Sequence, residues 1–140
     1  MKLKVKKLVR EAILPDFAHY NDAGMDLYCV EKILIKSGEK VQIRTGIAME
    51  IPDGYVGLIW DKSGLSHKFG LKTFGGVFDA GYRGEILLGM VNLGQEDYVL
   101  EVGNKVAQML IQKVEQPEIV EVKELSEGLR GERRFGSTGK

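Results

Sequence analysis

The 140-residue chain balances twenty Lys and Arg against twenty Asp and Glu, for a formal net charge of zero. No global field therefore draws it to nucleic acid or an acidic membrane, and its length suits one domain burying roughly two-thirds of its unfolded surface. The single cysteine, Cys29, excludes an internal disulfide or a cysteine-rich zinc site and suggests a reducing compartment.

Lysines interrupt every apolar run in Met1-Lys2-Leu3-Lys4-Val5-Lys6, so no secretion leader is read there. No stretch approaches the roughly 18 apolar residues of a membrane helix. A soluble, cytoplasmic protein is expected, with neither nucleic acid nor membrane as a partner. Residues 2–9 alternate lysine with Leu3 and Val5 and predict a half-buried strand with a charged outer face. Residues 16–22 form a polar loop, and Ala23-Gly24-Met25-Asp26 opens a strand that runs to Val30. Ile33-Leu34-Ile35 and Val41-Gln42-Ile43 flank a turn at Lys36-Ser37-Gly38-Glu39. A further strand covers residues 46–51, and Pro52-Asp53-Gly54 is a strong turn signal.

Residues 55–60 read as a buried strand. Ser63-Gly64-Leu65-Ser66-His67-Lys68-Phe69 lacks β-branched residues and spaces Leu65 and Phe69 by four, which predicts one short helix with Ser63 near its N-cap. Strands follow at residues 71–78, 82–93, 98–102, 105–114 and 118–122. About ten short strands with regular turn signals indicate an all-β sandwich, jelly roll or barrel. From Ser126 the chain turns polar and glycine-rich. Such a segment cannot bury enough apolar area to offset its ordering entropy, so by itself it is expected to be mobile. Within it, Phe135-Gly136-Ser137-Thr138-Gly139 combines a flat ring, open amides and two hydroxyls, suited to closing over a base and a phosphate.

The run Thr73-Phe74-Gly75-Gly76-Val77-Phe78-Asp79 leads to one carboxylate, turns through Ala80-Gly81 and resumes at Tyr82. Asp79 and Tyr82 either face one small molecule together or belong to a hairpin whose aspartate caps its own turn. Taken singly, other residues also have plain readings. Ser63 is an N-cap, Gln108 an ordinary strand side chain, Asp26 a turn former, Tyr82 an interior aromatic and His67 a surface residue.

Five segments in order change that balance: Ala23-Gly24-Met25-Asp26-Leu27; Asp61-Lys62-Ser63-Gly64-Leu65; Gly76-Val77-Phe78-Asp79-Ala80-Gly81-Tyr82-Arg83-Gly84-Glu85; Gly103-Asn104-Lys105-Val106-Ala107-Gln108; and Arg130 with Phe135-Gly136-Ser137-Thr138-Gly139. Together they resemble the five motifs of the homotrimeric dUTP diphosphatases (dUTPases). The resemblance implies a β jelly-roll or barrel-like protomer over residues 1–125 with one short helix. A mobile arm over residues 126–140 would close sites shared within a homotrimer. It implies hydrolysis of dUTP to dUMP and pyrophosphate with Mg²⁺.

On this resemblance Asp79 is the catalytic carboxylate that activates water against the α-phosphorus. Tyr82 packs on the deoxyribose and excludes a 2′-hydroxyl. The main chain of Thr73 to Gly76, continuing into Val77 and Phe78, reads uracil. Lys62, Ser63, Gly64 and Gln108 hold phosphates. Asp26 holds Mg²⁺ through water. Phe135 and Gly136 cover the base, while Arg130, Ser137 and Thr138 grip the γ-phosphate.

The chain departs from the family pattern at three places. Asp61-Lys62 stands where Pro-Arg is usual, with Lys62 placed to neutralise Asp61. Thr73 stands where many members have Asn, and Arg133-Arg134 replaces Gly-Gly. Lysine lacks the bidentate fork of arginine, so whatever that position holds is held differently. Two rival readings use the same scaffold, a dCTP deaminase and a non-catalytic nucleotide sensor. The deaminase needs a glutamate where this chain has Gly89, and the sensor would not require Asp79 or the arm.

Overall fold

In the computed structural model, residues 1–129, 131 and 132 are described. Ten strands and one helix follow in order: β1 (Lys4–Lys7), β2 (Met25–Tyr28), β3 (Ile33–Ile35), β4 (Lys40–Glu50), β5 (Tyr55–Asp61), α1 (Ser63–Phe69), β6 (Leu71–Phe74), β7 (Val77–Phe78), β8 (Glu85–Asn92), β9 (Tyr98–Leu100) and β10 (Lys105–Lys113). They build two four-stranded antiparallel sheets, β1-β4-β8-β6 and β2-β10-β5-β7, and a small β3-β9 pair. This is the all-β architecture that the strand spacing predicts.

Period-two patterning explains why the sheets share a core. Along β8, Ile86, Leu88, Met90 and Asn92 are buried and alternate with half-buried neighbours. Ile43 and Ile47 of β4 join them from the same sheet, and Leu27, Val106 and Met109 meet them from the other. Each such apolar side chain contributes about 1.5–3 kcal/mol when fully buried. Asn92 is the polar member of this interior. Its amide donates to the carbonyls of Ile35 (3.0 Å) and Glu96 (2.8 Å) and accepts from the Gly94 N–H (2.9 Å), so burial leaves it satisfied.

Several boundaries differ from the sequence expectation, each for a local reason. The two strands expected around Arg44 are one eleven-residue strand, β4. The ladder to β8 shifts register between Arg44 and Ala48, where Gly46 takes φ +67 and donates its N–H to Glu85 Oε1 at 2.8 Å. The strand expected over residues 71–78 breaks at Gly75 (φ +63). β6 pairs with β8 in one sheet and β7 with β5 in the other. The expected strand from Tyr82 begins only at Glu85, because Tyr82 donates its N–H to Asp79 O (3.0 Å) in a turn. Since β7 and β8 lie in different sheets, Asp79 and Tyr82 sit on a crossover and not in a hairpin.

α1 forms as expected, yet Lys62 occupies the N-cap in extended geometry and makes no side-chain cap; Ser63 is the first helical residue. The strand expected at residues 118–122 is absent. Ile119, Val120 and Val122 stand 89%, 65% and 55% exposed, since apolar β-branched residues make a strand only where a sheet edge receives them.

Gly46→Ala is expected to destabilise the protein by about 2–4 kcal/mol. The new Cβ would meet Val9 Cγ2 at 2.6 Å and Val30 Cγ1 at 2.9 Å at a positive φ. The measurement is the urea midpoint at fixed protein concentration; an unchanged midpoint refutes the register shift at Gly46 as a structural requirement.

Candidate active site

The site residues expected from the sequence fall into two groups on one chain. The first surrounds the junction of β5 and α1. Gln108 of β10 stands opposite Asp26 of β2 on one side and Trp60 of β5 on the other. Gln108 Nε2 donates to Asp61 O at 2.9 Å, and its side chain lies so close over Gly24 that a Cβ there would be 2.4 Å from Gln108 Oε1. Gly24, Lys62, Ser63 and Gln108 line a cleft of about 620 Å³, with His19, Trp60 and His67 also on its wall. His67 is exposed, as expected, at this rim.

Asp26 lies beneath that cleft with only 2% of its surface exposed. Lys62 Nζ donates to its Oδ1. Lys105 Nζ sits 2.7 Å from its Oδ2, an ion pair without hydrogen-bond alignment. Burial alone pushes the Asp26 carboxyl up, but the Lys105 and Lys62 ammoniums outweigh it and hold the group below its ordinary 3.8. The same contact raises Lys105. Lys105 was not singled out in the sequence; the signal was its place in the fourth segment, on the strand that pairs with the strand of Asp26.

Lys62 therefore pairs with Asp26 and does not neutralise Asp61. Asp61 is met instead by Lys72, with Nζ 3.0 Å from Oδ2, and by Thr73. Thr73 donates both its N–H (2.8 Å) and its hydroxyl (2.6 Å) to Asp61 Oδ1. Desolvation pushes Asp61 up, and these donors hold it below its ordinary value.

The second group lies at the far end of β5. Val77 and Phe78 pair with Leu58 and Gly57, which sets Asp79 beside Val56. Asp79 is exposed on the wall of a cleft of about 480 Å³ shared with Tyr55, Val56, Ala80, Gly81 and Gln116. The Tyr82 ring meets Phe78 edge-on at 5.7 Å, and its hydroxyl donates to Glu85 O at 2.8 Å. Gly76 O accepts the Ile59 N–H at 2.8 Å, fixing the loop between β6 and β7. β7 is the last strand of its sheet, so among the described residues no strand lies beside its outward main-chain groups.

About seven residues of extended chain separate the neighbour of Asp79 from Ser63, a span of roughly 20 Å at the usual strand rise. The two clefts share no lining residue. Asp26, Lys62, Ser63, Gly64 and Gln108 are thus brought together, as are Gly76, Val77, Phe78, Asp79 and Tyr82, but the two sets are not. Thr73 joins neither cleft wall and faces Asp61. Arg130, Phe135, Gly136, Ser137 and Thr138 lie outside the described residues. Among the described residues no group of three or more His, Cys, Asp or Glu could hold a metal ion.

A family model described as dUTPase matches residues 10–139. The chain is 48% identical over 141 residues to the deoxyuridine 5'-triphosphate nucleotidohydrolase of Clostridium kluyveri, covering 99% of both. It is 44% identical over 142 residues to the protein of the same name from Nautilia profundicola, covering 100% of both. Its fold is similar to that of a mutant dUTPase of Staphylococcus bacteriophage 80alpha solved with dUpNHpp, with TM-score 0.94, 32% identity and 99% of each chain covered. A mutant dUTPase of phage phi11, described as revealing coordination of a structural Mg(II) ion, matches with TM-score 0.83 and 31% identity over 89% of this chain and 98% of that one.

The Asp26 cluster carries a pH signature. A folded-state value below 3.8 means a stabilising contribution that is complete above the unfolded value and lost as pH falls through the folded one. Asp26→Asn is expected to lower stability at pH 7 by about 1.5–3 kcal/mol and to flatten the loss between about pH 5 and 3. Melting temperatures across that range check it; parallel acid limbs for the two proteins contradict it.

Proposed function

The chain belongs to the dUTPase family, and on that premise we propose that its hydrolysis of dUTP to dUMP and pyrophosphate proceeds by Asp79-directed attack of water on the α-phosphorus. The observation that carries this reading is the freedom of the Asp79 carboxylate. It is exposed at a cleft and makes no side-chain hydrogen bond or ion pair among the described residues, so both oxygens can hold a water. An ordinary aspartate is a weak base at neutral pH, and positioning supplies much of its effect.

The neighbouring parts suit the rest of a deoxyuridine. Tyr82, held at one edge by Phe78 and at its hydroxyl by Glu85 O, offers a fixed ring face to a deoxyribose and leaves no room for a 2′-hydroxyl. Unpaired main-chain donors and acceptors along an edge strand imitate a pairing base, which suits Gly76, Val77 and Phe78 to uracil. In the other cleft, the first amides of α1 receive no side-chain cap and favour an anion, together with Lys62, Ser63, Gly64 and Gln108.

A triphosphate cannot reach across about 20 Å of one chain, so the reading requires the two sets of residues to come from different copies. The exposed Ile119, Val120 and Val122 support such an assembly, since they are strand-forming residues that no sheet edge among the described residues receives. The homotrimer, and an arm over residues 126–140 carrying Arg130, Phe135, Gly136, Ser137 and Thr138 to a neighbouring site, complete the proposal.

Mg²⁺ enters this reading with the substrate. Asp26 is buried between two ammoniums and does not fit a metal held by this chain, so no step is routed through the ion. Mg²⁺ commonly takes its direct ligands from substrate phosphates and water. No helix among the described residues is long and apolar enough to cross a membrane. The reading places the enzyme in the cytoplasm, where clearing dUTP limits uracil in DNA and supplies dUMP for dTMP synthesis. The deaminase reading is disfavoured locally. Gly89 lies under the Phe74 ring, where a Cβ would be 2.5 Å from Phe74 Cε2, so a glutamate there would have to displace that ring.

Pyrophosphate release with dUTP, dCTP and dTTP tests the proposal. Release is expected from dUTP alone, and Asp79→Ala is expected to reduce it by about 10²–10⁴-fold. Equal turnover of dTTP, or full activity in the variant, overturns it.

A further inference from the structure

Two positions at which the chain departs from its family pattern, Asp61 and Thr73, are bonded to each other. Asp61 ends β5 in one sheet and Thr73 lies in β6, the last strand of the other, so their contact bridges the two sheets. One carboxylate oxygen, Asp61 Oδ1, receives both the Thr73 N–H at 2.8 Å and the Thr73 hydroxyl at 2.6 Å. Lys72 Nζ straddles the carboxylate, donating to Oδ1 at 3.2 Å and lying 3.0 Å from Oδ2. Thr73 is only 7% exposed, and with both donors engaged it has none left for a ligand.

Beyond Thr73 the chain enters the loop that reaches β7. Between the clamp and the first β5–β7 pair, Leu58↔Val77, the main chain of this loop gains one further tie to β5, the Ile59 N–H to Gly76 O. Gly75 in the middle stands at positive φ with open space around it. The β8 ladder holds Thr73 and Phe74 on their other side, so without the clamp the start of the loop stays attached to β8 but loses its tie to β5. How the loop edge lies against β5, the strand that carries β7, then rests on the Gly76 bond and the β7 pairs alone.

We propose that Asp61 is a positioning residue for base recognition: by fixing Thr73 it sets the main chain of residues 74–76, and so sets how strictly the enzyme separates uracil from other pyrimidines. The inference rests on the reading of that loop as the uracil contact. Asp61 is on the wall of the cleft with Lys62 and Ser63 and not on that of Asp79, so its effect is expected on binding and discrimination and not on the group that directs the water.

The pattern of acceptors predicts a graded series. Both Thr73 bonds end on one oxygen, so Asp61→Asn keeps an acceptor for them, and the half-exposed Lys72 can turn to water. Asp61→Ala removes the acceptor and leaves the Thr73 N–H and hydroxyl unsatisfied, a loss of about tenfold or more in an equilibrium. The test is steady-state hydrolysis of dUTP and dCTP by the full chain, with wild type, Asp61→Asn, Asp61→Ala, Thr73→Val and the Asp61→Ala/Thr73→Val double variant.

Expected for Asp61→Ala is a KM for dUTP raised about tenfold, a dUTP-over-dCTP preference narrowed by a similar factor, and a kcat within about threefold of wild type. Asp61→Asn is expected close to wild type, and the double variant no worse than Asp61→Ala alone. Should Asp61→Ala fail to fold, Thr73→Val, which removes one hydroxyl, still must raise KM and narrow the preference in the same direction. Unchanged KM and preference in Asp61→Ala and Thr73→Val overturn the inference, as does an Asp61→Asn as impaired as Asp61→Ala. A wild type that shows no preference for dUTP instead overturns the underlying reading of the loop.

Discussion

A strand paired along its whole length cannot shorten, and β5 is such a strand. Every residue of Tyr55–Asp61 has a partner on β10, which fixes the distance between its ends as rigidly as any distance in the protein. The cleft with Lys62 and Ser63 hangs from one end, and Asp79 sits beside the other. Everything functional about a single chain derives from this rule. On the proposed reading it carries two half-sites held apart by β-sheet geometry, which a second copy brings onto one substrate.

Electrostatics at the first half-site work by sharing. Burying a carboxylate is unfavourable unless its charge is met. Asp26 is met twice, by a lysine from the β5–α1 junction and by one from β10. The two ammoniums are held close together by a common counter-ion, and β2, β5 and β10 are tied at the point where Gln108 also binds the Asp61 carbonyl. A chain with no net charge thus still presents organised cations where the reading places phosphates.

The β class, the helix and the order of the strands were legible in the sequence because they rest on period-two patterning and turn residues, which are local. The family was legible because five short motifs stood in order. What was not legible depended on which partner a residue finds. Gly75 looked like one more small residue inside a strand; its positive φ, which splits β6 from β7, is decided by the sheets on either side. Ile119, Val120 and Val122 have the composition of a strand but find no sheet edge among the described residues. Lys62 follows Asp61 in sequence and looked like its neutraliser, yet adjacent residues of extended chain point to opposite sides. Asp61 instead found Thr73, twelve positions away. Arg130 and Phe135 to Thr138 were legible only as motif, since they lie outside the described residues.

The brevity of β7 has a consequence for the life of the protein in a crowded solution. A backbone edge left open for a ligand is also an invitation to any other unpaired strand, and long bare edges seed fibrils. At two residues, flanked by Gly75-Gly76 before it and the Asp79 turn after it, this edge is long enough to present a few donors and acceptors. It is too brief to template another chain.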